Sequence, residues 1–531
     1  MRVLTAAGAR AADAAAQAAG VPVALLMEQA GVAVAAAAER HFAPLRQRGA
    51  VVLAGQGSNG GDGLVAARAL ADRGWPVVAL VAGGPRRFAA RAAAQRAYLA
   101  RLAGYGVPAL TLDGATAAAV LDRHPGALVV DAVSGTGVRG PLRAEAAAAL
   151  AAARERGGAV LAVDLPTGVD PDTGRVSAGA VAADRTVAMA FLKPGHLLWP
   201  GAGLCGAVEV ASIGLGPFAD ASGEAAMEWV TEAEARALAP ERTPTLHKGE
   251  AGRILVVAGS PGFGGAAVLA TLGALASGAG LVTAATPPEV RAALLARAPA
   301  AMALADDADL EVRAAAADAV AMGPGLGRGP ETVGRVRAVL ARARRLVLDA
   351  DALTALAGLG EAAWRELRRS PAAAGGALVL TPHPGEAATL LAVPDEGRPV
   401  WPEGSPADAA AVDAGRLEAA RALARASGAV VLLKGRPTAV AHPDGRLRLN
   451  GSGGPVLATG GTGDVLTGLV GGLLAQGLDA FDAAALGAYL HGRAGEQAAE
   501  GGDRGVTAAE VAAALPAAWR LLLAGDEGSR G

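Results

Sequence analysis

Short apolar runs alternate with longer alanine-rich stretches along the first part of the chain. Examples are AVVLAG at residues 50–55, ALVVDA at 127–132 and AVLAVDL at 159–165. These runs are apolar almost throughout, which is typical of strands that are covered on both faces. Helix-length segments separate them, so the pattern predicts βαβ units and a mainly parallel sheet.

The alternation stops near residue 215 and starts again near residue 253, with runs such as RILVVAGS at 253–260 and AVVLLKG at 429–435. The last apolar runs lie so close together that they predict antiparallel pairs. We therefore expect two α/β domains. They are predicted to span residues 1–217 and 241–523, with a linker at 218–240. In open parallel sheets, ligands bind at the carboxyl ends of the strands.

Length, charge and cysteine content narrow the possibilities. A chain of 531 residues is too long for one ordinary core. Its 48 basic and 50 acidic residues are so evenly balanced that we expect no nucleic-acid partner. The single cysteine, Cys205, excludes an internal disulfide and agrees with a cytoplasmic location.

Hydropathy gives two further expectations. No clean apolar run reaches about 20 residues, so we expect no membrane span. The apolar stretch from Val21 to Ala38 could be buried in a contact between subunits, which favours a homo-oligomer.

In the first domain, the candidate functional residues lie at the ends of the predicted strands. The glycine-rich GQGSNGGDG at residues 55–63 could bind phosphate through backbone N–H groups, or could be a plain tight turn. Asp62 could simply cap a helix. Asn59, Asp131 and Asp164 with Thr167 lie at the ends of three predicted strands, and their oxygens are the ligands that a hard cation takes.

Three motifs carry a specific resemblance. GSNGGDG, DAVSGTGVRG and DLPTGVD, in this order and spacing, resemble the NAD(P)H-hydrate epimerase family over residues 1–217. The resemblance implies a Rossmann-like three-layer sandwich, a bound K⁺ and inversion of the hydroxylated carbon of hydrated NAD(P)H, called NAD(P)HX. It implies Asn59, Asp131 and Thr167 as K⁺ ligands. The implied substrate contacts are Ser58, Asn59, Gly60, Gly61, Asp62, Gly135, Thr136, Gly137, Val138, Arg139, Gly140, Pro141 and Asp164.

Two positions depart from that family's pattern. Ser58 stands where the family usually has Asn, and Thr167 stands where it often has Ser. Both replacements keep an oxygen, so ion binding is expected to survive. Asp164 is the candidate catalytic acid/base. Lys193, in FLKPGH, is either its catalytic partner or a solvated loop lysine.

A second ordered set of motifs lies in the second domain. It begins with the glycine-rich stretch from His247 onward and continues with GPGLG at 323–327, LDADAL at 348–353, TPHPGE at 381–386, KGRPT at 434–438 and GGTGDVLTG at 460–468. The set resembles the ADP-dependent NAD(P)H-hydrate dehydratase family, which has a ribokinase-like fold, over residues 235–520. The implied hydrate contacts are Ala266, Gly325, His383 and Asp464. The implied nucleotide contacts are Lys434, Gly435, Arg436, Pro437, Thr438 and Gly463.

The resemblance also implies a role for Asp464. In ribokinase-like enzymes the glycine-rich loop forms an anion hole, and the carboxylate beside it takes the proton of the attacking hydroxyl. The hydrate's hydroxyl would attack the terminal phosphoryl group of ADP, which yields AMP and phosphate and restores NAD(P)H. Mg²⁺ is expected because of the clustered phosphate charge. Asp349 and Asp351 are either loosely involved or strand-end turn residues.

We therefore predict a bifunctional repair enzyme that epimerises R and S NAD(P)HX and dehydrates the S form. One alternative is a small-molecule kinase with the same fold, which TPHPGE and the fused first domain disfavour. A second alternative is a non-catalytic nucleotide-binding protein. The intact Asp62, Asp164 and Asp464 disfavour that interpretation.

Overall fold

A computed structural model describes residues 1–90, 93–137, 140–304, 309–401, 407–500 and 502–524. The chain divides into two compact units, Met1–Glu224 and Ala225–Gly531. Within the ranges just given, no helix combines the length and the hydropathy needed to cross a bilayer.

The first unit is built on a seven-stranded sheet in which every strand pair is parallel. The strands are β1 (Ala50–Ala54), β2 (Val77–Ala82), β3 (Ala109–Leu112), β4 (Leu128–Ala132), β5 (Ala159–Val163), β6 (Arg185–Met189) and β7 (Ala207–Ala211). Their order is β3-β2-β1-β4-β5-β6-β7. The direction of winding changes between β1 and β4, where a crevice is expected to open.

Helices cover both faces of this sheet. They are α1 (Ala6–Ala18), α2 (Val23–Phe42), α3 (Ser58–Asp72), α4 (Gly84–Ala89), α5 (Ala93–Gly104), α6 (Gly114–Arg123) and α7 (Ala144–Arg156). Val52 of β1 belongs to the core under α1–α3, whereas its neighbours Val51 and Leu53 belong to the core under α6 and α7. Alternate side chains of a strand point to opposite faces, so the predicted three-layer sandwich is confirmed.

The second unit contains a ten-stranded sheet. Its strands are β8 (Met227–Trp229), β9 (Arg253–Val257), β10 (Leu281–Ala285), β11 (Met302–Ala303), β12 (Ala319–Met322), β13 (Arg345–Leu348), β14 (Ala377–Leu380), β15 (Val430–Leu433), β16 (Thr438–Ala441) and β17 (Leu447–Asn450). The order is β11-β10-β9-β12-β13-β14-β15-β16-β17-β8. Only β16 runs antiparallel to its neighbours among these strands, which confirms the predicted antiparallel pairs.

The helices of this unit pack closely because small residues line their contacts. They are α8 (Glu232–Ala237), α9 (Gly264–Ala276), α10 (Pro288–Arg297), α11 (Leu310–Ala316), α12 (Pro330–Leu340), α13 (Ala350–Ala357), α14 (Ala362–Arg369), α15 (Pro384–Leu391), α16 (Ala409–Ala414), α17 (Arg416–Ser427), α18 (Thr462–Ala475), α19 (Ala480–Ala498) and α20 (Ala508–Ala524). A methyl group on Gly468 of α18 would lie 1.8 Å from the carbonyl oxygen of Ala270 in α9. This contact of backbone against backbone fixes the helix that carries Asp464.

The predicted linker at 218–240 needs a correction. Within it, β8 pairs in parallel with β17, and Thr231 caps α8 through the backbone N–H of Glu234. The buried side chains of Met227 and Ala235 tie this segment to the second unit, which begins at Ala225. A strand of three residues is too short to stand out as an apolar run, which explains why the sequence pattern missed it.

Candidate active sites

In the first unit, a cavity of about 970 Å³ opens where the loops after β1, β4 and β5 meet. Cavities of this size accommodate cofactor-sized ligands. The predicted residues in its wall are Ser58, Asn59, Asp62, Gly135, Thr136, Gly137, Gly140, Pro141, Asp164, Thr167 and Lys193. Three further predicted residues, Gly60, Gly61 and Asp131, are buried and do not belong to that wall. The predicted contacts Val138 and Arg139 lie outside the described residues.

The glycines at the start of α3 are required by packing. A methyl group on Gly60 would lie 1.9 Å from the carbonyl oxygen of Gly55, and one on Gly61 would lie 2.5 Å from Sδ of Met27. The helix begins at Ser58 with Gly57 as its N-cap residue, so the interpretation of Asp62 as the cap was wrong. Burial, and then the charge of Asp164, raise the pKa of Asp62 well above its ordinary value.

Asp164 and Lys193 form a buried ion pair in the cavity wall. Nζ of Lys193 donates to Oδ1 of Asp164 at 2.5 Å and to the carbonyl oxygen of Met189 at 2.9 Å. Lys193 is only 2% exposed, so the interpretation as a solvated loop lysine was wrong. Burial disfavours the charge of Asp164, but the Lys193 ammonium, His196 and the hydrogen bonds from Lys193 and Met189 together outweigh this effect and hold the pKa of Asp164 below its ordinary value.

His196 is hydrogen-bonded to the backbones of both residues, and the sequence analysis missed it. Its Nδ1 accepts from the backbone N–H of Lys193 at 2.9 Å, so its Nε2 carries the hydrogen and donates to the carbonyl oxygen of Asp164 at 2.5 Å. Burial lowers the pKa of His196 to about 4, which keeps the ring neutral. The only signal in the sequence was its place in FLKPGH, three residues after Lys193.

Two of the three predicted K⁺ ligands are hydrogen-bonded to each other. Thr167 donates to Asp131 from its hydroxyl at 2.7 Å and from its backbone N–H at 2.8 Å. Asn59 lies instead beside Gly135, where an added methyl group would be 3.1 Å from Oδ1 of Asn59 and 2.8 Å from Oδ2 of Asp164. Nδ2 of Asn59 is buried without a hydrogen-bond partner in the described part of the chain. The structure thus places Asn59 and Asp164 beside Gly135, and it pairs Asp131 with Thr167, whose hydroxyl oxygen also accepts from the backbone N–H of Ser134, the residue before Gly135.

In the second unit, Asp464 lies in the first turn of α18. Gly461 precedes this helix in the left-handed conformation, with φ of 93°, and its carbonyl oxygen accepts from the backbone N–H of Asp464 at 3.1 Å. Burial, and then the charge of Asp349, raise the pKa of Asp464 to about 7. A carboxyl group with this pKa can take up and release a proton near neutral pH.

Lys434 lies beside this turn and connects it to the end of β13. Its Nζ is 2.8 Å from Oδ1 of Asp349 and 3.4 Å from the position that a methyl group on Gly463 would occupy. The hydroxyl of Thr467 donates to the other oxygen of Asp349 at 2.6 Å. Burial opposes the charge of Lys434, but Asp349 and then Glu386 outweigh this effect and raise its pKa. Asp349 is therefore a constituent of the site.

His383 and Glu386 belong to the same cluster through the start of α15. Nδ1 of His383 accepts from the backbone N–H groups of Gly385 and Glu386, and the backbone N–H of His383 donates to Oε2 of Glu386 at 2.8 Å. Oε2 of Glu386 is also 3.8 Å from Nζ of Lys434. Burial raises the pKa of Glu386. The sequence analysis missed the side chain of Glu386, although it is part of the quoted TPHPGE motif.

The remaining predicted residues of this site lie on the GPGLG loop, in the first turn of α9 and around the connection between β15 and β16. Gly325 has φ of 62°, and an added methyl group would lie 2.8 Å from Cβ of Ala266, so these two residues are adjacent. Asp351 accepts from the backbone N–H of Gly327 at 2.8 Å and thereby fixes the GPGLG loop. The loop that joins β15 to β16 contains Gly435, Arg436 and Pro437, and Thr438 is the first residue of β16.

A second buried histidine supports the turn that carries Asp464. Nε2 of His491 lies 2.9 Å from the carbonyl oxygen of Thr462. Burial lowers the pKa of His491 to about 4, so the neutral ring donates to this carbonyl group. The sequence analysis missed His491, because nothing in its surroundings marks it as part of a motif.

Comparison with known proteins covers both units. The family model described as NAD(P)H-hydrate dehydratase matches residues 254–517, and the one described as YjeF-related protein N-terminus matches residues 23–195. The bifunctional NAD(P)H-hydrate repair enzyme Nnr of Moorella thermoacetica is 40% identical over 517 residues, with 94% of this chain and 93% of that protein covered. The enzyme of the same name from Salinibacter ruber is 38% identical, with 90% and 88% covered.

Among solved structures, the ADP/ATP-dependent NAD(P)H-hydrate dehydratase from Bacillus subtilis, co-crystallised with ATP and Mg²⁺, is similar to part of the chain. It is 32% identical, with a TM-score of 0.47, and the alignment covers 56% of this chain and 98% of that one.

Proposed function

Because the chain belongs to the family of bifunctional NAD(P)H-hydrate repair enzymes, we propose a specific reaction for each unit. The first unit interconverts the R and S epimers of NAD(P)HX. The second unit dehydrates the S epimer to NAD(P)H at the expense of ADP, which becomes AMP and phosphate.

The observation that carries the dehydratase proposal is the partly buried Asp464 carboxyl group with a pKa of about 7, beside Lys434 and the backbone of Gly463. Asp464 takes the proton of the hydrate's ring hydroxyl, whose oxygen attacks the terminal phosphoryl group of ADP and releases AMP. The lone pair of the ring nitrogen then expels phosphate, and loss of a proton from the adjacent carbon restores the ring double bond. Phosphorylation is needed because hydroxide is a poor leaving group.

The neighbouring residues position the reactants. Lys434 brings a positive charge to the glycine-rich turn, where the backbone N–H groups of that turn face the transferred phosphoryl group. Gly435, Arg436, Pro437, Thr438 and Gly463 contact the nucleotide. Ala266, Gly325 and His383 contact the hydrate. These roles rest on the motifs, on the contact of Gly325 with Ala266 and on the contact of Lys434 with Gly463.

Mg²⁺ suits this site through the nucleotide. Among the described residues, no group of three or more His, Cys, Asp or Glu side chains could hold a metal ion. Mg²⁺ is commonly bound by one or two carboxylates together with substrate phosphates. Asp351 and Glu386 are the carboxylates that would hold it, and the ion would neutralise part of the phosphate charge.

In the first unit, the reacting carbon carries a hydroxyl group and a ring nitrogen, so it is a hemiaminal carbon. Asp164, kept ionised by Lys193, takes the hydroxyl proton while the carbon–nitrogen bond opens to an aldehyde and the nitrogen gains a proton. Closure on the other face of the aldehyde returns both protons and inverts the centre. Asp62 has the opposite environment, because burial and the charge of Asp164 raise its pKa well above the ordinary value, and we assign it the role of proton donor to the nitrogen.

K⁺ suits the buried pair of Asp131 and Thr167. Asp131 is 1% exposed, and the hydrogen bonds and ion pairs of the described residues give it only neutral partners. A buried carboxylate without a cation nearby is unfavourable. Asp131, Thr167 and Asn59 would hold the ion through their oxygens, and K⁺ would compensate the negative charge of Asp131.

Three expectations about partners and location stay proposals. A cytoplasmic location and the lack of a nucleic-acid partner rest on composition alone. A homo-oligomer rests on α2, whose Val23 and Leu25 are each 47% exposed. Most apolar residues of α2 pack within its own unit, so its apolar character alone does not require a subunit contact.

The test is an absorbance assay with separated R and S epimers of hydrated NADH. With ADP, Mg²⁺ and K⁺, both epimers should regain the near-ultraviolet absorbance of NADH, and AMP should accumulate. Lithium in place of K⁺ should slow the R epimer more than the S epimer. No recovery, together with a phosphate ester formed on an added sugar or vitamin precursor, would establish the kinase alternative instead.

A further inference from the structure

The main chains of Asp164 and Lys193 are bridged by one imidazole ring, that of His196. The ring is 4% exposed and does not belong to the wall of the cavity. It therefore acts on a ligand only through other residues. Both of its nitrogens are engaged with backbone groups from segments that are far apart in sequence.

Each hydrogen bond fixes a different part of the ion pair. Asp164 has φ of 67°, a conformation that is unfavourable for residues other than Gly, Asn and Asp, and Nε2–H of His196 holds its carbonyl group. Nδ1 of His196 accepts from the N–H of Lys193, at the point where the chain enters the short 3₁₀ turn Pro194–His196. Together these bonds fix the backbone positions from which the side chains of Asp164 and Lys193 extend.

Only one form of the ring satisfies both partners. A protonated imidazolium would direct an N–H group at the N–H of Lys193, and the other neutral tautomer would direct a lone pair at the carbonyl oxygen of Asp164. The ring is thus a rigid spacer with one acceptor and one donor at fixed separation. Displacement of either main chain would move the Asp164 carboxylate relative to Gly135 and Asn59.

We propose that His196 is a positioning residue for epimerisation: it holds Asp164 and Lys193 at the separation that lets the free oxygen of Asp164 reach the hydroxyl group of the substrate. This inference rests on the proposed epimerase function of the first unit. It assigns the residue to catalysis through the ion pair and not to substrate binding.

The test uses four variants of the full chain. His196→Asn keeps an acceptor near the place of Nδ1, His196→Gln places an amide N–H near that of Nε2, and His196→Phe keeps neither. His41→Gln is the control. His41 is a partly exposed histidine of the same unit, and its partner is Glu209 and not a member of the Asp164–Lys193 pair. Interconversion of NADH hydrate epimers is followed without ADP, so that the second unit does not consume the product.

We expect His196→Phe to lower kcat for epimerisation by about 100-fold with KM changed by no more than about twofold, since a small displacement of catalytic groups has this effect. The Asn and Gln variants should each regain part of kcat, and His41→Gln should match the unsubstituted protein. Dehydration of the S epimer by every variant checks that the second unit is intact, and circular dichroism with thermal unfolding checks the first. If the Phe variant does not fold, the kcat values of the Asn and Gln variants test the positioning role.

A second readout does not depend on activity. Imidazole nitrogen resonances of His196, assigned by their loss in His196→Asn, should show the neutral Nε2–H form between about pH 5 and about pH 9. Titration near about 6.5, or the other tautomer, would overturn the bridge itself. Unchanged kcat in folded variants, or a change in KM alone, would overturn the positioning role. An unsubstituted protein that shows the bridge but does not interconvert the epimers would instead refute the epimerase function, and with it this role.

Discussion

Lys434 and Asp349 form an ion pair, with Nζ and Oδ1 2.8 Å apart, although Asp349 is only 1% exposed. Thr467 donates to the second oxygen of the same carboxylate. The ammonium group is therefore held in one place, next to the turn that precedes Asp464. The two members of the pair act on Asp464 in opposite directions, because Asp349 raises its pKa and Lys434 lowers it.

Asp464→Asn should lower the rate of dehydration by about 100-fold to 10,000-fold, the usual contribution of a positioned general base. Epimerisation should be unchanged, since Asp164 and Lys193 lie in the other unit. The matched control is Asp479→Asn at the start of α19, where Asn caps a helix as well as Asp does. Rates of NADH formation and of epimer interconversion are measured on the same samples. Undiminished dehydration would remove Asp464 from the mechanism.

The pH dependence of dehydration should follow the ionisation of Asp464. As general base, Asp464 must be ionised, so kcat/KM should rise with pH through about 7 and then level off. Lys434→Met removes a positive charge and should move this midpoint to higher pH, whereas Asp349→Asn removes a negative charge and should move it to lower pH. The midpoint is read from full profiles, so that a lower maximal rate does not affect it. Shifts of both variants in one direction would contradict the assignment.

The same pKa has a consequence for stability in the absence of nucleotide and metal. A carboxyl group whose pKa is about 7 in the folded state and 3.8 otherwise destabilises the fold where it must ionise, and has no such effect where it is protonated in both states. Asp464→Asn should therefore raise the free energy of unfolding of the second unit by about 2 kcal/mol near pH 9, after allowance for partial exposure. At about pH 4, close to the unfolded-state pKa of 3.8, most of the gain should be gone. Urea unfolding at both pH values measures this difference in the free energy of unfolding. An equal gain at both pH values would show that the ionisation of Asp464 is not its cause.

Thr167 tests the proposed K⁺ site. Thr167→Val removes the hydroxyl that donates to Asp131, and should raise the K⁺ concentration that gives half-maximal epimerisation by about tenfold or more. Thr167→Ser keeps the oxygen and should remain close to the unsubstituted protein. Epimer interconversion is titrated with KCl, with LiCl keeping ionic strength constant. Equal rates in the two salts, in the unsubstituted protein, would count against a K⁺ site.

The sequence identified both units and most residues that converge in their sites. The run around Asp131 predicted a buried strand, and the ends of neighbouring parallel strands meet at one edge of a sheet, so Asp131 was expected to lie near the polar residues at the ends of neighbouring strands, whereas Asp349 was left open as a plain turn residue. Motif order then located Asp164, Lys193 and Asp464. What these motifs could not distinguish was whether Lys193 is exposed or buried, since that depends on packing far along the chain.

The residues that the sequence did not reveal act on the backbone. His196 and His491 bind carbonyl groups of Asp164 and Thr462, and such bonds leave no spacing rule in the sequence. Gly60 and Gly61 were predicted to contact substrate, yet neighbouring atoms alone already exclude larger residues there. A glycine required by packing and one required by a ligand look the same in a single sequence.

The three-residue strand β8 decides where the polypeptide can be divided. A fragment that starts at residue 241 would lose Met227–Trp229 and leave Leu447–Asn450 at the margin of the sheet with open backbone groups. An exposed strand edge of this kind can pair with a strand of another molecule, whereas a very short edge strand offers few backbone groups for such pairing. A fragment that begins at Ala225 keeps β8 and should therefore resist self-association.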